Sequence, residues 1–204
     1  MSFKTLQDYK TRNFPNGFSS VFESWFDIIH DYADKTDNDA IYWYNERANV
    51  GALAAALARN NITLIEEYSC TKGRGEDKSY GRTDIACCYR NEWYLAEAKL
   101  KWQAISSFSA IETKNITSPS CADARRSWHG DKGSVPIGIT FVVPWIKPQY
   151  RGDITTLIKQ FIAEIEEDEY CDFWAYCAPG RLREALGASG DYYPMVALLG
   201  KYAK

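Results

Sequence analysis

The chain has 204 residues, 46% of them apolar and 25% charged, enough for one domain with a substantial core and too few for several. Its net charge is −3, which excludes a uniformly basic nucleic-acid binder, yet the charge is uneven. Residues 70–132 hold 11 Lys/Arg against 8 Asp/Glu, and the remainder 13 against 19, so one segment is locally basic.

No apolar run approaches the length of a membrane span, and the opening Met1-Ser2-Phe3-Lys4 is too polar for a signal peptide. A cytoplasmic protein without membrane contact is expected. The six cysteines, at 70, 87, 88, 121, 171 and 177, lack paired C-x-x-C spacing and are expected to be reduced thiols, not zinc ligands. His30 and His129 have no partner at ligand spacing and are read as structural, although His129 could touch phosphate.

In chain order, the first 43 residues form an N-terminal helical extension, with Phe18, Phe22, Trp25, Phe26 and Ile29 on one helix. A second helix over 45–60 is rich in alanine and leucine, and Val50, Leu53, Ala54 and Leu57 define its buried stripe. Glu46 lies four residues before Val50 on the same stripe, which aligns a carboxylate with the core face. Ile62 to Tyr68 reads as the first core strand, whose end brings Glu66 or Glu67 toward the same region; periodicity does not choose between them. Thr71 to Tyr80 reads as a loop of glycine and mixed charge without phosphate-cradling spacing.

Two β-compatible runs, Gly81 to Tyr89 and Trp93 to Leu100, flank Arg90-Asn91-Glu92 and predict a hairpin. A turn centred on Arg90-Asn91 sets Asp84 opposite Glu97. A turn centred on Asn91-Glu92 sets it opposite Lys99. Either way Asp84, Glu97 and Lys99 are expected on one sheet face, where two carboxylates and an ammonium need pairing or a metal. Acidic-x-Lys occurs four times, at Asp8, Glu76, Glu97 and Glu112. Only Glu97-Ala98-Lys99 sits in a strand-like run with an aspartate facing it.

Further on, Pro119 to Trp128 predicts a helix carrying Arg125 and Arg126, and Pro136 to Val143 a buried strand. An amphipathic helix is expected over 153–167, a strand over 171–177, and a further strand within Tyr193 to Tyr202.

Asp84, followed across a hairpin by Glu97-Ala98-Lys99, resembles the signature of the PD-(D/E)XK nuclease superfamily. Gly81-Arg82-Thr83-Asp84 resembles the G-R-x-D entry to that strand in several branches, with Thr83 where the superfamily's name has proline. The resemblance implies an α/β fold, an αβββαβ restriction-endonuclease-like core with a mixed central sheet flanked by helices. This core lies within residues 44–204, behind the helical extension of residues 1–43, and the elements match it over roughly residues 44–177.

The resemblance also implies a Mg²⁺-dependent nuclease acting on DNA, in which Mn²⁺ can substitute. Asp84, Glu97 and the Ala98 carbonyl would be metal ligands. Lys99 would position the attacking water, Glu46 would assist, and Arg82, Arg125 and Arg126 are candidate DNA contacts. Homodimer formation, target and mode of cleavage stay open. The rival reading is a non-catalytic nucleic-acid- or protein-binding module on the same fold.

Overall fold

The computed structural model describes residues 4–13, 18–73, 75–128 and 133–203. His129 lies outside them. Seven strands form one mixed sheet: β1 (Leu6–Thr11), β2 (Thr63–Lys72), β3 (Ser79–Tyr89), β4 (Glu92–Ala104), β5 (Ser134–Trp145), β6 (Phe173–Ala178) and β7 (Val196–Tyr202). Their spatial order is β1-β6-β7-β5-β4-β3-β2. Four helices flank it: α1 (Ser19–Lys35), α2 (Glu46–Arg59), α3 (Thr113–Trp128) and α4 (Ile154–Glu167).

Alternation along the central strands explains the layering. Phe173, Ala175 and Cys177 of β6, Val196 and Leu198 of β7, and the odd-numbered apolar residues of β5 share a core with α1 and α2. Trp174, Tyr176, Ala197, Leu199 and Val142 face the opposite side, where Ile154, Ile158, Phe161 and Ile165 of α4 cover them. Helix α3 lies on that second side against β4 and β5. It approaches so closely that a Cβ on Gly138 would fall 2.5 Å from the Cys121 nitrogen. Only glycine fits there.

The segment before residue 44 is built into the sheet and core. Trp25, Phe22 and Phe26 are almost fully buried, and β1, which the sequence did not announce, pairs antiparallel with β6. Helix α3 also starts six residues before the expected Pro119. Pro119 has no N–H for the Asn115 carbonyl, but the hydroxyls of Thr117 and Ser118 bond to the carbonyls of Thr113 and Lys114 and hold that turn together.

Among the described residues no helix is long and apolar enough to cross a membrane. All six cysteines are free thiols. His30 Nε2 lies 2.8 Å from the Gln7 amide oxygen and near Cys177, joining α1 to the sheet edge, and burial lowers its pKa.

Candidate active site

The hairpin turn is Arg90-Asn91, because Tyr89 pairs with Glu92 and both turn residues have positive φ, 51° and 65°. Two such residues in a two-residue loop make the tight turn that suits the twist of paired strands. The register Ile85↔Ala96 then puts Asp84 opposite Glu97.

The β3–β4 ladder stops at Ile85↔Ala96, one step short of that pair. Beyond it, the N–H groups of Ala98 and Leu100 still point toward the β3 edge, since alternate residues of a strand direct their backbone groups the same way. Carboxylates occupy the gap. Asp84 Oδ2 accepts from Ala98 N at 2.7 Å, and Glu46 Oε2 accepts from Leu100 N at 3.0 Å. Thr83, fully buried, donates its hydroxyl to the Ala96 carbonyl at 3.0 Å.

Glu46 reaches β4 because Asn45 caps α2, accepting from Ala48 N at 3.0 Å, and fixes the first turn over the strand. On the other side of the gap, Glu67 of β2 stands opposite Asp84 with φ of +53°, an uncommon conformation for a residue with a side chain. Their pairing is interrupted there while Glu66↔Ile85 and Tyr68↔Thr83 flank it. The pairing of β3 is thus interrupted on both its edges at the level of Asp84, and strain of this kind concentrates at functional sites.

Glu97 and Lys99 project toward α3. The ionised Lys72 and the Ser127 hydroxyl both meet Glu97 Oε1, the lysine at 2.7 Å, and Lys99 Nζ lies 2.8 Å from Asp123 Oδ2. Two strand residues span about 6.6 Å and four helix residues about 6 Å, so Asp123 and Ser127 match Lys99 and Glu97 in spacing.

Glu97 and Lys99 share the α3 face, and Asp84 stands opposite Glu97 just beyond the end of the ladder, with its carboxylate bonded to Ala98 N–H between the strands. The charges remain coupled across this short distance. Burial raises the Asp84 pKa above the usual aspartate value; its bond to Ala98 lowers it, Glu97 and Glu46 raise it, and Lys99 lowers it. Burial pulls the Lys99 pKa down, but Asp123, Glu46 and Asp84 together leave it raised, so its ammonium persists at neutral pH.

Lys72 carries no sequence mark of its role, lying at the border of the expected loop. The signal beside it is Gly81, where a Cβ would meet the Lys72 side chain at about 2.9 Å. The bare glycine lets that lysine cross β3 toward Glu97.

A cleft of about 280 Å³ opens on Asp84 and is lined also by Asn45, Glu46, Arg47, Val50, Glu66 and Glu67. Both glutamates at the end of the first expected core strand therefore reach the site. Glu67 is paired with Arg47 at 3.3 Å and with Arg82 at 3.6 Å, which places Arg82 on the cleft rim. Arg125 and Arg126 are exposed on α3. The charge of Arg125 acts on Cys121 and Tyr170.

Among the described residues no three His, Cys, Asp or Glu side chains are gathered to hold a metal by themselves. The oxygen donors near the gap are the Asp84, Glu46 and Glu97 carboxylates and the Ala98 carbonyl, which shares the edge of β4 with its own N–H. Mg²⁺ typically takes one or two carboxylates and keeps waters or substrate phosphate, so this set fits a hard cation. No protein family, curated protein or solved structure matches the chain.

Proposed function

We propose that the protein is a Mg²⁺-dependent nuclease of the restriction-endonuclease-like, PD-(D/E)XK type, hydrolysing phosphodiester bonds of DNA. The observation that carries the reading is the opened β3–β4 ladder. Asp84, Glu46, the buried Glu97 and the charged Lys99 converge on one short stretch of β4. A carboxylate whose pKa is raised by burial and by two neighbouring carboxylates, as Asp84's is, favours a divalent cation beside it. The helix–strand order from α2 to β5 is the αβββαβ order of the resembled superfamily, followed by α4 and β6.

Asp84, Glu97 and the Ala98 carbonyl would hold the ion, with Mn²⁺ able to replace Mg²⁺. Bound there, the cation would polarise the scissile phosphate and acidify an attacking water. Lys99, held by Asp123 and kept protonated, donates hydrogen bonds to the charge that develops on the phosphoryl oxygens. Glu46, fixed on Leu100 N–H, orients water at the other side of Asp84. Asp84 sits in the gap itself, and its bond to Ala98 N–H fixes the carboxylate beside the carbonyl of the same residue.

The second reading is a non-catalytic binding module, and one observation favours it: Glu97 is already neutralised by Lys72 at 2.7 Å. Purified protein incubated with plasmid and linear DNA separates the two. Cleavage with Mg²⁺ or Mn²⁺ that EDTA abolishes is expected; its absence on single-stranded, duplex and branched DNA gives the answer to the binding module.

A further inference from the structure

Beyond the Glu46–Leu100 hydrogen bond, away from Asp84, a second cleft of about 540 Å³ opens. Trp43, Tyr44, Trp102, Leu186 and Tyr193 line it, with the loop Asp37-Asn38-Asp39 at its rim. The two features are tied covalently at both walls. Tyr44 precedes Glu46 by two residues, and Trp102 follows Leu100 by two.

The aromatic rings are held, yet two of them stay part-exposed. Trp43 Nε1–H and the Tyr42 hydroxyl both donate to the Tyr193 carbonyl, at 3.0 and 3.2 Å. The Tyr44 hydroxyl donates to Asp39, and the Tyr193 hydroxyl pairs with Ser189 at 2.8 Å. Trp102 packs edge-on against Tyr193, with centroids 5.1 Å apart and planes at 77°. The polar tips of Trp43, Tyr44 and Tyr193 are therefore satisfied, while Tyr44 stays 51% and Trp102 39% exposed. Anchored, part-exposed rings in a concave wall form a stacking surface.

Charge selects what enters. Arg181 bonds Asn38 at 3.0 Å and pairs with Asp34, and Asp39 is taken by Tyr44. The rim is left acidic through Asp37 and Asp39, which repels a phosphate and tolerates a neutral ring. Lys99 and the exposed Lys101 belong to the same strand as Trp102 but alternate onto its α3 face, away from the cleft. Trp102 is three residues past Lys99, about 10 Å of extended chain, or roughly three base rises.

We propose that this cleft stacks unpaired nucleobases next to the cleavage centre, so that the substrate is nucleic acid with a single-stranded segment beside the scissile bond. The inference rests on the nuclease reading of the neighbouring site. A base pair within a duplex has both faces covered by its neighbours, so a blunt duplex gains nothing here. Flaps, overhangs and splayed ends present free bases.

The test is equilibrium binding in EDTA, read by fluorescence anisotropy. The probes are a short labelled deoxyoligonucleotide, the same strand carrying abasic residues, and a blunt duplex. Wild type is expected to prefer the intact strand and to lose roughly 5- to 100-fold in affinity for the abasic one, the range of stacking a base on an aromatic ring. The double variant Tyr44→Ala/Trp102→Ala should bind intact and abasic strands alike. Trp102→Phe, which keeps a ring, should retain the difference if the alanine variant is misfolded. Equal affinity of wild type for intact and abasic strands overturns the proposal, as does an abasic penalty that survives in a folded double variant. Saturable binding of a trimethyl-lysine peptide without any single-strand preference also overturns it, in favour of an organic-cation site. Mg²⁺-dependent cleavage without an abasic penalty defeats this proposal alone. An abasic penalty without cleavage defeats the nuclease reading alone.

Discussion

Two groups of buried or half-buried carboxylates in this molecule have opposite surroundings. Asp168, 1% exposed, caps the turn after α4, taking the N–H groups of Tyr170 at 3.1 Å and Cys171 at 2.9 Å together with the Thr113 hydroxyl. Asp172 accepts from Asn13, Lys201 and Tyr202 N. Each is a single anion surrounded by donors. At the β3–β4 gap, by contrast, Glu46, Asp84 and Glu97 crowd together, and burial with mutual repulsion raises the Asp84 pKa. The first group holds the fold together, whereas the second is held in place by the fold. Self-satisfied charge is structural, and charge that needs an outside counter-ion is poised for a ligand.

The largest expected effect tests the structural side. Asp168→Ala removes three hydrogen bonds to a charged acceptor and leaves buried N–H groups without a partner, and should destabilise by about 3 kcal/mol or more. Urea unfolding measures it, and an unchanged midpoint would erase the distinction.

Lys99→Ala should do the reverse. The lysine is part-exposed, so unfolding should shift by less than about 1 kcal/mol. Cleavage should fall on the order of 10²-fold, the loss typical of one preorganised electrostatic donor. Cleavage that tracks stability in this variant would make Lys99 a structural residue.

Glu46→Ala leaves Leu100 N–H without its acceptor, at a cost of about 1 kcal/mol, with a loss of cleavage beyond what that instability explains. Equal activity at equal folded fraction would remove Glu46 from the chemistry.

The smallest effect is the most diagnostic. Because folding raises the Asp84 pKa, its protonated form binds the fold better. That contribution is present below the ordinary aspartate value and is lost as pH rises through the folded value. In metal-free buffer Asp84→Asn should therefore be more stable than wild type at neutral pH, and the gap should close on acidification. Stability curves that stay parallel across that range would contradict the frustrated site. Added Mg²⁺ should stabilise wild type and not the asparagine variant.

These contrasts also show what a single chain reveals. Turn parity put Asp84 opposite Glu97, and the helix stripe put Glu46 toward the sheet, because both depend on local periodicity. Lys72, Asp123 and Ser127 were not legible as partners, since their roles depend on how β2 and α3 dock on β4, contacts remote in sequence. The divergence of the ladder was hidden for the same reason: regular pairing is the default that alternation implies. Strand β1 was missed because its burial alternates only weakly at a sheet edge. The buried stripe of α1 was visible, but not that β1 beside it would extend the main sheet.

The Arg90-Asn91 turn has a consequence for how the site comes into being. A two-residue loop closes the β3–β4 hairpin with the shortest separation in the sheet, and hairpins form within about 1–10 μs. The parallel β4–β5 pairing must wait for the α3 crossover, and the Glu46 contact must wait for α2 to dock. Substitutions at the turn should therefore alter the refolding rate, while substitutions at Glu46, Asp123 or Ser127 should chiefly accelerate unfolding. The register that sets Asp84 opposite Glu97 is then established before any of the neighbours that would charge it have arrived.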